Sequence, residues 1–267
     1  MATSTNQIVM KHMQFNGQKV KRWIHNGVLT YIAGSTVTYI CNGSAYTEEV
    51  DSGADCLSPK TFTPAMAGAT FKGWSNSPDS TQILTSLTMG DEPITLYAVF
   101  KIADSIKYLS FDIQEYSKVI STTGTYHSIY TGVDKSLYSG AKLALSYMDA
   151  ETHYAYSRLY LRFTDRSVSA QIANVYNDGE TSSIVSSNLN PAITFANATG
   201  TANLSLLAIS AGTGAGYEGS TQADYVLQGG TLTLIGRTIV SSAVEEEPAN
   251  TTSVLGEATL GDMILGS

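Results

Sequence analysis

Apolar and polar residues alternate along most of this chain in short runs and nowhere recur at helical spacing. The segment HYAYSRLYLRF, from His153 to Phe163, carries the pattern most clearly. As an extended strand it sets Ala155, Ser157, Leu159, Leu161 and Phe163 on one side and Tyr154, Tyr156, Arg158, Tyr160 and Arg162 on the other. The first set fills a core. Comparable runs are KYLSFDIQEY, YHSIYTG, AKLALSYM, SVSAQIANVY, ITFANA, NLSLLAIS, ADYVLQ and TLTLIGRTIV. Turn clusters lie between them, among them Thr122–Gly124, Asp149–Glu151, Asn177–Gly179 and Gly212–Gly214. About nine strands at such spacing predict an antiparallel β-sandwich, jelly-roll-like, over residues 105–240.

Residues 1–35 hold two Asn-Gly pairs, Asn16-Gly17 and Asn26-Gly27, which separate QIVMKHMQF, QKVKRWIH and VLTYIAG. Both residue types tolerate the positive φ of a type I′ turn, so the segment is predicted to be a three-stranded meander. In QKVKRWIH, Val20, Arg22 and Ile24 alternate with Lys21, Trp23 and His25, which puts apolar groups on both faces. So small a sheet with two sticky faces is marginal alone. The segment is expected to dock on a partner subunit or on the segment behind it.

Residues 36–102 follow another pattern, opening VTYICNG, passing through TFTPAMAGATFKGWS and closing ITLYAVFK. Phe71-Lys-Gly-Trp74 puts an aromatic on each side of a flexible backbone position, a layout that suits a small curved sheet around one indole. Through Val37-Thr38-Tyr39, Pro64, Gly68, Phe71, Gly73-Trp74 and Leu96-Tyr97-Ala98-Val99-Phe100 the segment resembles the internalin-B-type, or Listeria-Bacteroides, repeat. The resemblance implies a β-grasp module that serves bacterial surface and phage proteins as a spacer and in adhesion, without catalysis. Upstream, VKRWIHNGVLTYIAG running into the repeat and then DSGADCLSPKTFTP resembles N-terminal regions of tail-region proteins of Firmicutes prophages. That likeness implies a place in a virion and brings no catalytic residue. The fold class is therefore expected to be all-β: an N-terminal meander, one β-grasp-like repeat and a C-terminal antiparallel sandwich.

Composition narrows the function. Charged residues make up only 14% of the chain, while tyrosine (16) and glycine (23) are plentiful, which favours strands and turns over long helices. A net charge of −8 argues against a phosphate-tracking surface, so no nucleic acid partner is expected, and the small cluster Lys19, Lys21 and Arg22 reads as a solvated strand face. No stretch approaches the ~20 apolar residues of a membrane span, so no membrane partner is expected. MATSTNQIVMKHMQF lacks the basic-then-apolar layout of a secretory signal, which favours a virion protein made in a host cytoplasm over a wall-anchored adhesin. Cys41 and Cys56, with four scattered histidines, do not have zinc-site spacing. They read as buried or semi-buried free thiols, a bridge formed after release being the alternative. Residues 241–267 open with Glu245-Glu-Glu247-Pro248 and carry sparse apolar residues between glycines. They are read as an acidic arm docked on a neighbouring subunit through Leu255, Leu260, Met263, Ile264 and Leu265, the alternative being a disordered overhang.

Motifs with chemical potential are few. Gly214-Ala-Gly216-Tyr-Glu-Gly219 satisfies G-x-G-x-x-G, but STQADYVLQGG after it opens no helix to meet a pyrophosphate, so it reads as an inter-strand loop. Asp149, Glu151 and His153 occupy alternate positions and would, on a strand, present two carboxylates and an imidazole together, as a glycosidase or metal site needs. Their turn propensity favours a polar hairpin connection instead. The serines lack a G-x-S-x-G elbow, and His12, His25, His127 and His153 lie in strand-like contexts without a recognisable acid partner. No enzyme, cofactor or metal is expected. The best binding candidate is the face of Tyr154, Tyr156, Arg158, Tyr160 and Arg162, since tyrosine gives rigid amphipathic area and arginine a planar fork. Its alternative is a second buried or cross-strand-paired face.

These readings converge on a structural component of a tailed-phage virion, a tail, baseplate or capsid-attached accessory protein acting in assembly and in surface display or host attachment. Its expected partners are other virion proteins, further copies of itself (a trimer is favoured) and a host surface glycan or protein. The alternatives are a bacterial cell-surface adhesin module and a virion-associated glycan-degrading enzyme.

Overall fold

The structure, a computed structural model, describes residues 34–211 and 220–242 together with the backbone of residues 14–15, 18–19, 22–25 and 28–32. Among the described residues the regular structure is all β, and no helix is long and apolar enough to cross a membrane. Strand β1 (Gln14–Phe15) pairs with β2 (Gln18–Lys19), and β3 (Arg22–His25) with β4 (Val28–Ile32). Each Asn-Gly pair lies between paired strands as predicted. The two ladders are separate sheets rather than one meander.

The next sheet is built on β5 (Ser35–Cys41), β6 (Ser44–Val50), β7 (Ala69–Ser75) and β8 (Ile94–Ile102). Asn42 (φ 49) and Gly43 (φ 78) close the β5–β6 hairpin with both central residues left-handed, the requirement of a type I′ turn. Strand β8 is the spine, parallel to β5 over Ile94–Tyr97 and antiparallel to β7. Trp74, 1% exposed, stands at the centre and donates its Nε1–H to the Leu57 carbonyl at 3.0 Å. Tyr39 and Phe71 ring it at 4.9 and 5.2 Å. Gly73 sits where β7 shifts register, with φ 145, and a Cβ there would lie 2.5 Å from Ile83. The connections 51–68 and 76–93 lay Cys56, Phe62, Met66, Leu84, Leu87 and Met89 over this core. Both cysteines are free and buried, and burial raises both thiol pKa values.

The C-terminal unit is a two-layer sandwich. One layer is β11 (Thr125–Asp134), β18 (Thr201–Ser210), β14 (Arg158–Thr164), β15 (Ser169–Asn177) and β16 (Ser182–Ser187), in that order. The other is a bent sheet whose two halves are β9 (Ser105–Tyr108), β20 (Thr231–Gly236), β12 (Tyr138–Ala144) and β17 (Ala192–Thr194), then β10 (Asp112–Ser121), β19 (Ser220–Gln228) and β13 (Tyr147–Thr152). Bonds cross the bend: Leu109 N–H to Gly230 O at 2.9 Å, Gly229 N–H to Phe111 O at 2.8 Å and Ser146 N–H to Gln228 O at 3.2 Å. KYLSFDIQEY and AKLALSYM, read as single strands, are thus each two strands of a kinked ladder. A Cβ on Gly229 would lie 2.5 Å from Leu109 O and one on Gly230 2.0 Å from Ala144 O, so the kink needs glycine for close approach. Leu159, Leu161, Phe163, Ile172, Leu204 and Leu206 of one layer meet Ile120, Leu143, Tyr225, Leu227 and Leu232 of the other in one core. Strand β16 has no counterpart in the predicted set.

TLTLIGRTIV also divides. After β20 the chain turns at Arg237, and β21 (Thr238–Val240) leaves the sandwich to pair antiparallel with β8, at Val99–Lys101, just beyond the residues paired to β5. The last residues assigned to the sandwich by pattern therefore belong to the sheet of β8. Ser241 N–H continues the ladder to Ala98 O at 2.8 Å, and Asn42 N–H donates to Ser241 Oγ at 3.1 Å. Arg237 pins the crossing, its Nε–H donating to Lys135 O (2.7 Å) and Tyr138 O (3.2 Å) and its Nη2–H to Asn197 O (3.1 Å).

Candidate functional site

The polar chemistry of the sandwich lies on its two outer faces. Leu159, Leu161 and Phe163 of β14 are fully buried. The intervening Arg158, Tyr160 and Arg162 therefore face outward. Arg158 lies 4.7 Å over the ring of Tyr176, its cross-strand partner on β15. Arg162 lies 5.4 Å over Tyr160, and Arg166, just past β14, 5.0 Å over Tyr126. A guanidinium stacked on a ring keeps its N–H edge available for a carboxylate. No carboxylate among the described residues forms an ion pair with these three.

Tyr154 and Tyr156 precede β14, so the predicted five-residue stripe is not one continuous strand face. The chain from Tyr154 to Ser157 is a turn, with Ser157 donating its N–H and its Oγ–H to Tyr154 O at 3.2 and 2.6 Å and Tyr156 at φ 57. The face begins at Arg158 and gains Tyr176, Arg166 and Tyr126 from neighbouring segments.

The opposite face is acidic. On β19, Ala223, Tyr225 and Leu227 are buried, so Asp224 and Val226 point out. Glu151 is the cross-strand partner of Asp224, and Asp149 that of Val226. A register shift in β10 between Glu115 and Lys118 brings Ser117 (φ 51) over β19, and its N–H reaches Asp224 Oδ1 at 2.6 Å. His153 Nε2 reaches the same oxygen at 2.7 Å. These contacts, the Ser117 amide first and then His153, hold the Asp224 carboxyl below the ordinary aspartate range. A cleft of about 330 Å³ opens here, lined by Tyr116, Asp149, Glu151, Ser182, Ile184 and Asp224. Behind it, His127 Nε2 is 3.0 Å from the buried Tyr225 hydroxyl. Burial lowers the His127 pKa and raises that of Tyr225.

Asp149 and Glu151 are thus strand residues of β13, where a turn was expected, and His153 follows directly. The donor atoms of Glu151, His153 and Asp224 all lie within 4.8 Å of one another. One imidazole and two carboxylates of this kind could ligate a divalent ion such as zinc or manganese. They also oppose two carboxyl groups across a ladder, which is unfavourable unless a cation or a shared proton lies between them. Asp224 was missed because it reaches His153 over 71 positions through strand pairing. The one local signal is the alternation in ADYVLQ, which turns Asp224 away from Ala223 and Tyr225. The predicted arm residues Leu255, Leu260, Met263, Ile264 and Leu265 lie outside the described residues, as does the G-x-G-x-x-G segment.

Residues 36–99 match the family model of the Listeria-Bacteroides repeat domain. The matched span runs from Thr36 in β5 to Val99 in β8 and includes Trp74 and its ring partners Tyr39 and Phe71. No curated protein and no solved structure gives a significant match to the chain.

Proposed function

We propose that this chain is a structural component of a tailed-phage virion, fitted to the tail, baseplate or capsid, and acting in assembly and in surface display or host attachment. The observation that carries this reading is the return of β21 into the ladder of β8, which joins the sandwich to the Listeria-Bacteroides repeat by backbone hydrogen bonds. The repeat then works as a stiff mount, not a loose tether. Stiff mounting suits multi-copy display, because once one copy has bound, the next contact is made at high effective concentration. The partners are other virion proteins, further copies of the chain as a homo-oligomer, with a trimer favoured, and a host surface glycan or protein. Gold-labelled antibody against the chain, applied to particles purified from lysates, tests the reading. Label on head, tail or baseplate supports it, whereas bare particles and labelled cell walls would overturn it in favour of the adhesin module.

One observation favours a second reading as a virion-associated glycan-degrading enzyme. Glu151 and Asp224 approach across the ladder beside an open cleft, with ligand oxygens no more than 4.8 Å apart, and paired carboxyl groups are what glycoside hydrolysis uses. Release of reducing sugar from host-wall polysaccharide, abolished in Glu151→Gln and Asp224→Asn, would establish it. No release from the intact chain would dismiss it.

A further inference from the structure

Arginines and carboxylates gather on opposite faces of the sandwich, with Asp134 at the end of β11 the one acidic residue in the strands of the five-stranded layer. On the outer face of the five-stranded layer, Arg158, Arg162 and Arg166 stand on tyrosine rings, and β14, β15, β16 and β18 contain no Asp or Glu. The outer face of β10, β19 and β13 carries Asp112, Asp149, Glu151 and Asp224. The one Lys–carboxylate pair formed near them joins Lys118 to Glu115 at 3.4 Å, which leaves those four without a lysine or arginine partner among the described residues. Tyr116 (65%) and Tyr147 (47%) are exposed on the same side. In a chain with net charge −8, three guanidiniums gathered on one sheet and held flat on aromatic rings are placed for a carboxylate-rich partner.

We infer that the partner is a second copy of this chain, with the Arg158, Arg162 and Arg166 face of one sandwich seated on the Asp149, Glu151 and Asp224 cleft of the next. The inference rests on the multi-copy reading above. The cleft, about 330 Å³, admits guanidinium groups beside Tyr116. Its carboxylates accept the planar fork in the two-pronged geometry that distinguishes arginine from lysine. Because the two faces belong to opposite layers, the contact is heterologous. Such a contact closes into a ring or runs on as a stack, and closure at three copies is what the favoured trimer requires.

The test is sedimentation velocity and light scattering on the full chain over a concentration series, at about 0.1 M and about 1 M salt, between which the Debye length falls from about 10 Å to about 3 Å. Association at low salt that weakens at least tenfold at high salt is expected. The double variant Arg158→Glu/Arg162→Glu and the double variant Asp149→Lys/Glu151→Lys should each weaken association by about a hundredfold. Asp224 is left intact because it holds the Ser117 amide. Mixing the two variants should restore association into mixed pairs and alternating, even-numbered assemblies, since each contact between unlike variants then meets the opposite charge. Circular dichroism and melting curves identical to the parent chain establish that both variants are folded. A monomer at every concentration and salt, association indifferent to the swaps, or a mixture that stays monomeric each overturns the inference. A monomer whose arginine face instead retains a wall glycan on an affinity column overturns it too and assigns that face to the host. Labelled particles with a monomeric chain would sink the stacking alone. Stacking without labelled particles would sink the virion reading alone.

Discussion

Replacing Gly230 by alanine tests whether the bent layer is held by close backbone approach. The added Cβ would lie 2.0 Å from Ala144 O and 3.1 Å from its carbonyl carbon, against an ordinary contact of 3.4 Å or more. Those are backbone atoms of a paired strand, so no side chain can swing away. The strands must part at the bend, which strains the Leu109 N–H to Gly230 O and Ser146 N–H to Gln228 O bonds. Overpacking costs about 1–3 kcal/mol, and each weakened backbone bond adds about 0.5–1.5 kcal/mol. The loss of unfolded-state freedom with alanine returns about 0.4–1 kcal/mol. A net cost of about 2–4 kcal/mol lowers the melting temperature by about 5–15 °C for a chain of this size. Gly90 is the matched control, since its Cβ would meet nothing within 4 Å. Gly90→Ala should melt at or slightly above the parent temperature in the same calorimetric scan. If Gly230→Ala melts within about 1 °C of Gly90→Ala, steric closeness does not hold the bend and the two halves are not one continuous ladder.

Glu48, 8% exposed, accepts from the Thr61 hydroxyl at 2.6 Å and from the Lys60 and Thr61 amides at 2.9 and 2.7 Å. Burial pushes its carboxyl pKa up, but these bonds outweigh burial and leave it lowered. Its contribution is therefore full above the ordinary glutamate pKa of about 4.3 and is lost as pH falls through the folded value. Glu48→Gln should cost about 1–3 kcal/mol in urea unfolding at neutral pH and flatten the acid limb of the stability curve. Tyr39 donates its hydroxyl hydrogen to Cys56 O at 2.9 Å, and burial, with Glu48 nearby, raises its pKa to about 12. Ultraviolet titration should show a tyrosine that ionises near pH 12 and is absent from Tyr39→Phe, whose loss of stability is about 1 kcal/mol. Arg237→Ala removes three bonds to carbonyl groups. Amide exchange at Ile239 and Ser241, the residues of hydrogen-bonded pairs with β8, should speed at least tenfold, while amides of the β14–β18 ladder stay slow.

The sheet around Trp74 was readable because its signals are local. The indole, Phe71 and Gly73 lie within a few residues of one another. The inward set Ser157, Leu159, Leu161 and Phe163 was equally plain, since alternation decides which side chains leave water. Alternation does not mark where a strand starts. Tyr154 and Tyr156 continue the pattern in letters but sit in a turn held by Ser157, whose hydroxyl competes with the ladder for the Tyr154 carbonyl. The Glu151 and Asp224 approach, the bend at Gly229-Gly230 and the departure of β21 all depend on which strands become neighbours. Pairing over such separations is fixed by packing of the whole sandwich, and no short window of sequence contains it.

The path of the chain through β8 and β21 decides how the molecule carries tension. The polypeptide leaves β8 for the sandwich and comes back alongside the strand it left, so the entry and exit of the sandwich meet at one spot. A pull applied at residues 34 and 242 runs across β5, β8 and β21 and bypasses every strand from β9 to β20. The sandwich hangs from the loaded sheet as a side branch. It can keep the shape of its two outer faces while the mount beneath it bears the strain.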